Sequence, residues 1–251
     1  VTLPFEPVPA EPAKPKPERP PLSALGMLIT SNIELGVITS RRSLQATIGA
    51  SEVGYPCARR LAYRLTATPG CNLGDPMRLL IGTGVHLALE EIHHRLDRSA
   101  GRFLTEIPTV YRDIPGQADL LDTYLHTVID WKTCSKDRLA KYTKDGPPAN
   151  YRVQLQIYAA GLIEAGFDVQ QLGMVFMPYD GALSSTWVWE TKPDPTEADA
   201  AIDRLDSLRG KAPADVPATP DRLCGYCAHY NPASTDFNRA CPGNTRKEPV
   251  Q

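Results

Sequence analysis

Gly116-Gln-Ala-Asp119-Leu-Leu-Asp-Thr-Tyr-Leu-His-Thr-Val-Ile-Asp130-Trp-Lys132-Thr133 is the stretch on which the fold turns. It reads as two strands, about 116–122 and 125–133, joined by a turn. Side chains alternate faces along a strand, so Asp130 and Lys132 share one face while Ile129 and Trp131 point the other way, into apolar packing. A tight turn near Thr123-Tyr124 sets Asp119 diagonal to Asp130 on the neighbouring strand, roughly 7–8 Å away at the backbone. Two carboxylates at that separation reach inward to one divalent ion.

Such a pair has a chemical use. Hydrolysis of a phosphodiester builds negative charge on an already anionic phosphate. A hard cation held by oxygen ligands offsets that charge and lowers the pKa of bound water. A lysine beside the metal positions the water and stabilises the developing charge, and Lys132 is placed for this. The competing reading is a solvated hairpin face with scattered charges, since Asp-x-Lys recurs by chance. The segments on either side have to decide between them.

Upstream, Asp75-Pro76 opens a helix running to about Arg98, a capping carboxylate followed by proline in the first turn. Ile81, Val85, Leu89, Ile92 and Leu96 repeat at helical spacing and predict its buried stripe. His86, in Gly82-Thr-Gly-Val-His86, is one step off that stripe and shares a face with Gly82, Glu90 and His93. Taken alone it reads as a surface or satisfied core histidine. Glu90-x-x-His93 lacks the second inward-facing partner that a di-metal bundle site needs. Downstream come a short polar helix near 135–144, a break at Gly146-Pro147-Pro148 and a strong helix over about 149–165. On the latter, Gln154 and Tyr158 lie four apart on one ridge. Further strands are expected at about 102–112, 172–178 and 183–190, then a helix from Asp194-Pro195 to near Gly210. The order helix, three strands, helix, strand is an α/β or α+β core.

In this order, Gly-x-x-x-His, Gly-x-x-Asp-Leu-Leu, Ile-Asp-x-Lys-Thr and Gln-Leu-x-x-Tyr resemble the RecB family within the PD-(D/E)XK nucleases. The resemblance spans about Ser51 to Leu162 and returns at the terminal cysteines. It implies an α/β, restriction-endonuclease-like core, a central mixed sheet flanked by helices. It implies metal ligation by His86, Asp119 and Asp130, with Mg²⁺ or Mn²⁺ as the ion, and a catalytic Lys132. Gln154 and Tyr158 would line the site and contact DNA. Glu106 corresponds more weakly to an acidic residue before the core strands.

Six cysteines occur: Cys57, Cys71, Cys134, Cys224, Cys227 and Cys241. In a chain of 251 residues with no secretory pattern at its start, thiolates on a metal or cluster are favoured over disulfides. Cys224-Gly-Tyr-Cys227, then Cys241, lack one thiolate for a four-sulfur site, and Cys57 is the best candidate. One cysteine before the core and three after it resemble the iron–sulfur nucleases of the AddB and Cas-four kind. That resemblance implies a [4Fe–4S] cluster on Cys57, Cys224, Cys227 and Cys241, clamping the C-terminal segment onto the N-terminal helices. Zinc at four thiolates is the direct alternative. The last interval is longer than is usual in that family, so Asn231–Asn238 reads as an inserted loop.

The composition is that of a soluble globular protein, 42% hydrophobic and 22% charged. No apolar run approaches the roughly 20 residues that span a bilayer, and the expected location is the cytoplasm of a bacterium or a phage-infected host. Residues 1–21 hold eight of the 24 prolines and predict an extended, disordered tail. The remainder, 22–251, reads as one nuclease domain: a helical part to residue 100, the core over 101–210 and a Cys-rich segment from 211. The net charge of −2 gives no support to nucleic-acid binding. Basic residues nevertheless crowd the proposed site: Arg59, Arg60 and Arg64 after Cys57, then Lys136, Arg138, Lys141, Lys144 and Arg152. That density suits contacts to the backbone of single-stranded DNA or DNA ends. The expected activity is exonucleolytic, in recombination, repair or phage DNA processing. With no helicase motifs, a separate helicase or recombination partner would have to unwind duplex. The alternative is a non-catalytic DNA-binding accessory protein of recombination or CRISPR adaptation on a nuclease scaffold.

Overall fold

The computed structural model describes residues 23–38, 47–72, 74–97, 101–219 and 224–243. The proline-rich stretch 1–21 lies outside them. The chain divides into two compact units, residues 1–36 and 37–251. Helix α1 (Ala24–Ile38) is the described element of the first.

The second unit is built on a five-stranded mixed sheet in sequential order, β1 (Phe103–Tyr111), β2 (Ile114–Asp122), β3 (Thr127–Cys134), β4 (Gln171–Pro178) and β5 (Trp187–Thr191). All neighbours are antiparallel except β3 and β4. That parallel pair requires a crossover, supplied by α5 (Lys136–Asp145) and α6 (Ala149–Glu164). Gly146 ends α5 with φ +79°, a conformation open to glycine, and Pro147-Pro148 prevents the helix from resuming before Ala149.

Helix α6 lies at the centre of the core. Val153, Leu155, Ile157, Ala159 and Leu162 are buried, as are Gln154, Gln156 and Tyr158. A side chain such as Leu155 or Leu162, removed from water entirely, contributes ~2 kcal/mol by apolar burial. β4 is apolar on both faces, with Leu172, Met174, Phe176 and Val175 all buried. Helices α2 (Ala50–Val53), α3 (Ala58–Leu65) and α7 (Thr196–Asp206) complete this unit with α4 (Met77–Leu96).

Helix α4 departs from its predicted packing. Asp75 does accept the Met77 N–H, at 2.9 Å. But Ile92 and Leu96 are exposed, at 39% and 62%, and no residue of the helix is fully buried. The face turned to the sheet is that of Gly82, His86 and His93. A side chain at Gly82 would touch Thr133, and His93 packs on Phe103 and Trp131 at 5.2 and 5.5 Å. His93 is therefore a packing residue, its Nδ1 bonded to the Leu89 carbonyl. Small and planar side chains let the helix approach the sheet where an isoleucine–leucine ridge would hold it off. No described helix is long and apolar enough to cross a membrane.

Candidate active site

The β2–β3 hairpin turns over residues 123–126, two residues more than a tight turn at Thr123-Tyr124. Asp122 is the cause. Its Oδ1 accepts the N–H groups of Tyr124 and Leu125, and Arg102 holds the same carboxylate through Nη2 at 2.7 Å and Nε at 3.0 Å. Those bonds hold the Asp122 carboxyl below its usual range, against the opposing effect of burial. The wider turn shifts the register: Leu120 pairs Ile129, Leu121 pairs Val128 and Asp122 pairs Thr127. Continued one step, Asp119 falls opposite Asp130 instead of diagonal to it.

The described ladder stops at Leu120–Ile129, and the Asp119 side chain takes over. Its Oδ2 accepts the Trp131 N–H at 2.7 Å, while Oδ1 stands 3.3 Å from His86 Nδ1. Burial disfavours the charged imidazolium of His86, but Asp119 and Asp130 outweigh it and raise the pKa. Glu106 of β1 lies across from Asp119, between the pairs Thr105–Leu120 and Ile107–Ala118. Ligand atoms of His86, Glu106 and Asp119 all lie within 4.8 Å of one another. Glu106 has φ +49°, rare for a residue with a side chain inside a strand and costly by roughly 1–2 kcal/mol. Strain of this kind concentrates at functional sites. Alternation along the strand carries no sign of that conformation.

Asp130 and Lys132 face α6. Lys132 Nζ is 2.7 Å from Asp130 Oδ2 and donates to Gln154 Oε1 at 3.0 Å; Gln154 Nε2 in turn donates to the Tyr158 hydroxyl at 2.6 Å. Asp130 is 1% exposed, and the Lys132 contact is a close ion pair without hydrogen-bond alignment, so neither buried carboxylate oxygen takes an aligned donor. Burial pushes the Asp130 carboxyl up to about 6, only partly countered by Lys132. Lys132 stays high because Asp130 overcomes its desolvation. Burial also pushes the Tyr158 phenol up to about 12. Gly116 has a structural reason: a Cβ there would meet the Tyr158 ring at 2.6 Å. The glycine of Gly-x-x-Asp and the tyrosine of Gln-Leu-x-x-Tyr are thus one contact.

An imidazole and two carboxylates that close, with a buried carboxylate short of donors beside them, fit a divalent cation better than they fit one another. Asp130 stands outside the tight three-residue set; through Lys132 it joins that set to Gln154 and Tyr158.

Residues 104–231, just over half of the chain, match the PD-(D/E)XK nuclease superfamily. The chain belongs to that superfamily. Among curated proteins, none matches its sequence. Among solved structures, its fold is similar to that of SSO0001, at 20% identity and a TM-score of 0.52, over 80% of this chain and 93% of that one. An alkaline exonuclease from Laribacter hongkongensis is 14% identical with a TM-score of 0.46, over 74% of this chain and 94% of its own. A phage-related exonuclease from Haemophilus somnus is 13% identical with a TM-score of 0.44, over 65% and 92%. PD-(D/E)XK nucleases use divalent metals such as Mg²⁺, and the ligand atoms of His86, Glu106 and Asp119 are close enough together that they could hold one.

The superfamily match ends between Cys227 and Cys241, yet Cys57, Cys224, Cys227 and Cys241 line one cavity of about 50 Å³. None of the four is in a disulfide. The interval before Cys241 closes on itself: Cys241 donates to the His229 carbonyl at 2.7 Å, and Asn231 to the Cys241 carbonyl at 2.9 Å. The 231–238 loop therefore leaves and returns at one point, and its length costs Cys241 nothing in position. Backbone N–H groups of Thr219 and Gly243 point at the sulfurs of Cys57 and Cys241, at 3.5 and 3.4 Å, and His229 N–H points at that of Cys227. Burial pushes the Cys227 thiol up. Cys71 and Cys134 lie outside the cavity lining.

The predicted basic track is only partly available. Arg64 is paired with Glu52 at 2.8 Å and Arg152 with Glu197 at 2.7 Å. Arg59 donates to the Val216 carbonyl and Arg60 lies over the Tyr55 ring. Lys136, Lys141 and Lys144 of α5 are exposed, with no ion pair among the described residues.

Proposed function

We propose that this protein is a metal-dependent deoxyribonuclease that works as an exonuclease on single-stranded DNA or DNA ends, in recombination, repair or phage DNA processing. The observation that carries the reading is the arrangement of Asp119, Asp130 and Lys132 on paired strands. Lys132 is protonated, its side chain is 15% exposed, and it is held between Asp130 and Gln154. His86, Glu106 and Asp119 would hold Mg²⁺ or Mn²⁺, with Asp130 at its edge. The ion, when bound, activates water and offsets charge on the phosphate. Lys132 stabilises the negative charge that develops there and orients the attacking water. Gln154 and Tyr158 keep the Lys132 ammonium aimed. The exposed lysines of α5, directly after β3, give sequence-independent contacts to the DNA backbone. The preference for ends and single strands rests on the order of motifs, which resembles the RecB family.

The four cysteines take a [4Fe–4S] cluster in this reading. A tetrahedral zinc site with Zn–S near 2.3 Å sets its sulfurs about 3.8 Å apart. No three of the four thiols form a group within 4.8 Å among the described residues, a wider spacing than that zinc site needs, and the cluster reading rests on the order of the cysteines, one before the core and three after it. The N–H groups aimed at the sulfurs suit it as well.

The test is cleavage of end-labelled single-stranded DNA by anaerobically purified protein with Mn²⁺, Mg²⁺ or chelator. Metal-dependent cleavage that is lost in Lys132→Ala and Asp119→Ala is expected, and the product ladder gives the polarity. Intact DNA under every condition, with the cluster's visible absorbance present, would refute the enzyme.

A further inference from the structure

Lys132 has a third neighbour that no motif names. The face of the Tyr151 ring lies 4.8 Å from Lys132 Nζ, measured to the ring centroid. We propose that Tyr151 is a positioning residue for Lys132, its ring confining the ammonium against Asp130 and Gln154. The kinetic consequence rests on the nuclease reading above; the contact itself does not.

A lysine side chain has four flexible carbons, and two polar partners leave its ammonium free to swing about them. The negative face of an aromatic ring attracts a cation within about 6 Å, which closes a third direction. A carboxylate in the same place would compete with Asp130 for the ammonium and would repel an approaching phosphate. A neutral ring confines without either effect.

The ring is itself fixed. Tyr142 of α5 stands against it. The two rings meet edge to face at 6.3 Å, and Tyr151 also lies 6.3 Å from Phe176. Phe176 is fully buried and stacked on Trp187 at 5.4 Å. The aromatic wall behind Tyr151 therefore runs from α5 through β4 to β5. Position along α6 does the rest. Tyr151 sits in the first turn of the helix, its N–H bonded to the Pro148 carbonyl. Tyr151, Gln154 and Tyr158 are spaced i, i+3 and i+7, one face of the helix. Ring, amide and phenol thus meet β3 on successive turns. The Gly146-Pro147-Pro148 break decides where α6 begins and so where the ring falls.

Two readouts test this on the full chain. In protein labelled with [ε-¹³C]lysine, the Lys132 methylene resonance, assigned by its loss in Lys132→Arg, is expected upfield of the other lysines through the ring current. It should stay there in Tyr151→Phe and return to the common position in Tyr151→Leu. In the cleavage assay, Tyr151→Phe should hold kcat within about twofold. Tyr151→Leu should lose about five- to thirty-fold in kcat with KM for DNA unchanged, matching a cation–π contact of about 1–2 kcal/mol. A Lys132 resonance at the common position in the unsubstituted protein overturns the proposal, as does full kcat in Tyr151→Leu. If the unsubstituted protein cleaves no DNA, the nuclease reading fails while the resonance still decides the contact. If Tyr151→Leu does not fold, the resonance of the unsubstituted protein decides alone.

Discussion

Gly116→Ala tests whether the strand carrying Asp119 and the helix carrying Gln154 are fitted to each other. The added methyl would lie 2.6 Å from Tyr158 Cε1, 2.9 Å from Cδ1 and 3.3 Å from Ala50 Cβ. The first two distances are far inside contact. Tyr158 is only 6% exposed, and its hydroxyl holds the Gln154 amide at 2.6 Å, so the ring has nowhere to go. Gly116 is not one of the glycines with positive φ, so the backbone itself accepts alanine. On that account alanine gains about 0.4–1 kcal/mol by restricting the unfolded chain. Overpacking costs about 1–3 kcal/mol. The net loss is ~1–2 kcal/mol, a fall in Tm of about 2–8 °C for a unit of this size. Displacing the ring also shifts Gln154 and, through it, Lys132, so kcat should fall with KM little changed. Thermal and urea unfolding should be measured for Gly116→Ala, Tyr158→Ala and the double variant. Without the ring, the alanine should be neutral or mildly stabilising, giving an interaction energy of about 1–3 kcal/mol. The reasoning is refuted if Gly116→Ala unfolds like the unsubstituted protein, within about 0.5 kcal/mol. It is refuted equally if the loss persists undiminished in Tyr158→Ala.

Three further outcomes are expected. Alanine at His86, Glu106 or Asp119 should weaken Mn²⁺ binding at least about tenfold by calorimetry; unchanged affinity in Glu106→Ala would remove that residue from the set. Mn²⁺ affinity should rise from pH 5 to 8, because His86, raised above its ordinary value by Asp119 and Asp130, must lose its proton to ligate, and Asp130, pushed up to about 6 by burial, offers the ion a negative charge only once it is ionised. In the metal-free protein the dependence on Asp130 runs the opposite way: its folded pKa lies above the unfolded value, so its contribution to stability is present below 3.8 and lost as pH rises through about 6, and added metal should stabilise most above that point. Serine at Cys57, Cys224, Cys227 or Cys241 should lower iron content and visible absorbance, whereas serine at Cys71 or Cys134 should change neither.

What could be read from the sequence was whatever depends on period and order. Alternation put Asp130 and Lys132 on one face, and helical spacing put Gln154 and Tyr158 on one ridge, where they form the chain from Asp130 through Lys132 and Gln154 to Tyr158. The spacing of Cys57 from the terminal trio says nothing by itself, yet the four side chains share a cavity because α3 follows Cys57 directly and the 231–238 loop closes at its base. The readings that failed depended on side chains substituting for backbone. Asp122 binds two turn N–H groups and lengthens the hairpin, moving Asp119 by a register step. Asp119 then replaces a ladder partner at Trp131. Glu106 adopts a backbone conformation that its residue type disfavours. Helix α4 packs through glycine and histidine because the sheet beneath it presents Trp131 and Thr133, a tertiary fact that no hydrophobic period records.

These failures share a place. Asp119, Glu106 and His86 are the three residues whose ligand atoms lie within 4.8 Å of one another, and two of them, Asp119 and Glu106, are held there by departures from regular structure. Asp130, Lys132, Gln154 and Tyr158, by contrast, stand where ideal strand and helix geometry puts them. The site is thus two halves with different origins. The half proposed to stabilise charge belongs to the packed interior, where α6 is buried against β3. The half that offers metal ligands is assembled where the β2–β3 ladder stops and a carboxylate bridges a backbone N–H to a histidine. A site divided in this way should divide under perturbation. Loosening the core around α6 should lower kcat while metal affinity persists. Changing Asp122, which sets the turn, should shift metal affinity before it touches the Lys132–Gln154 bond.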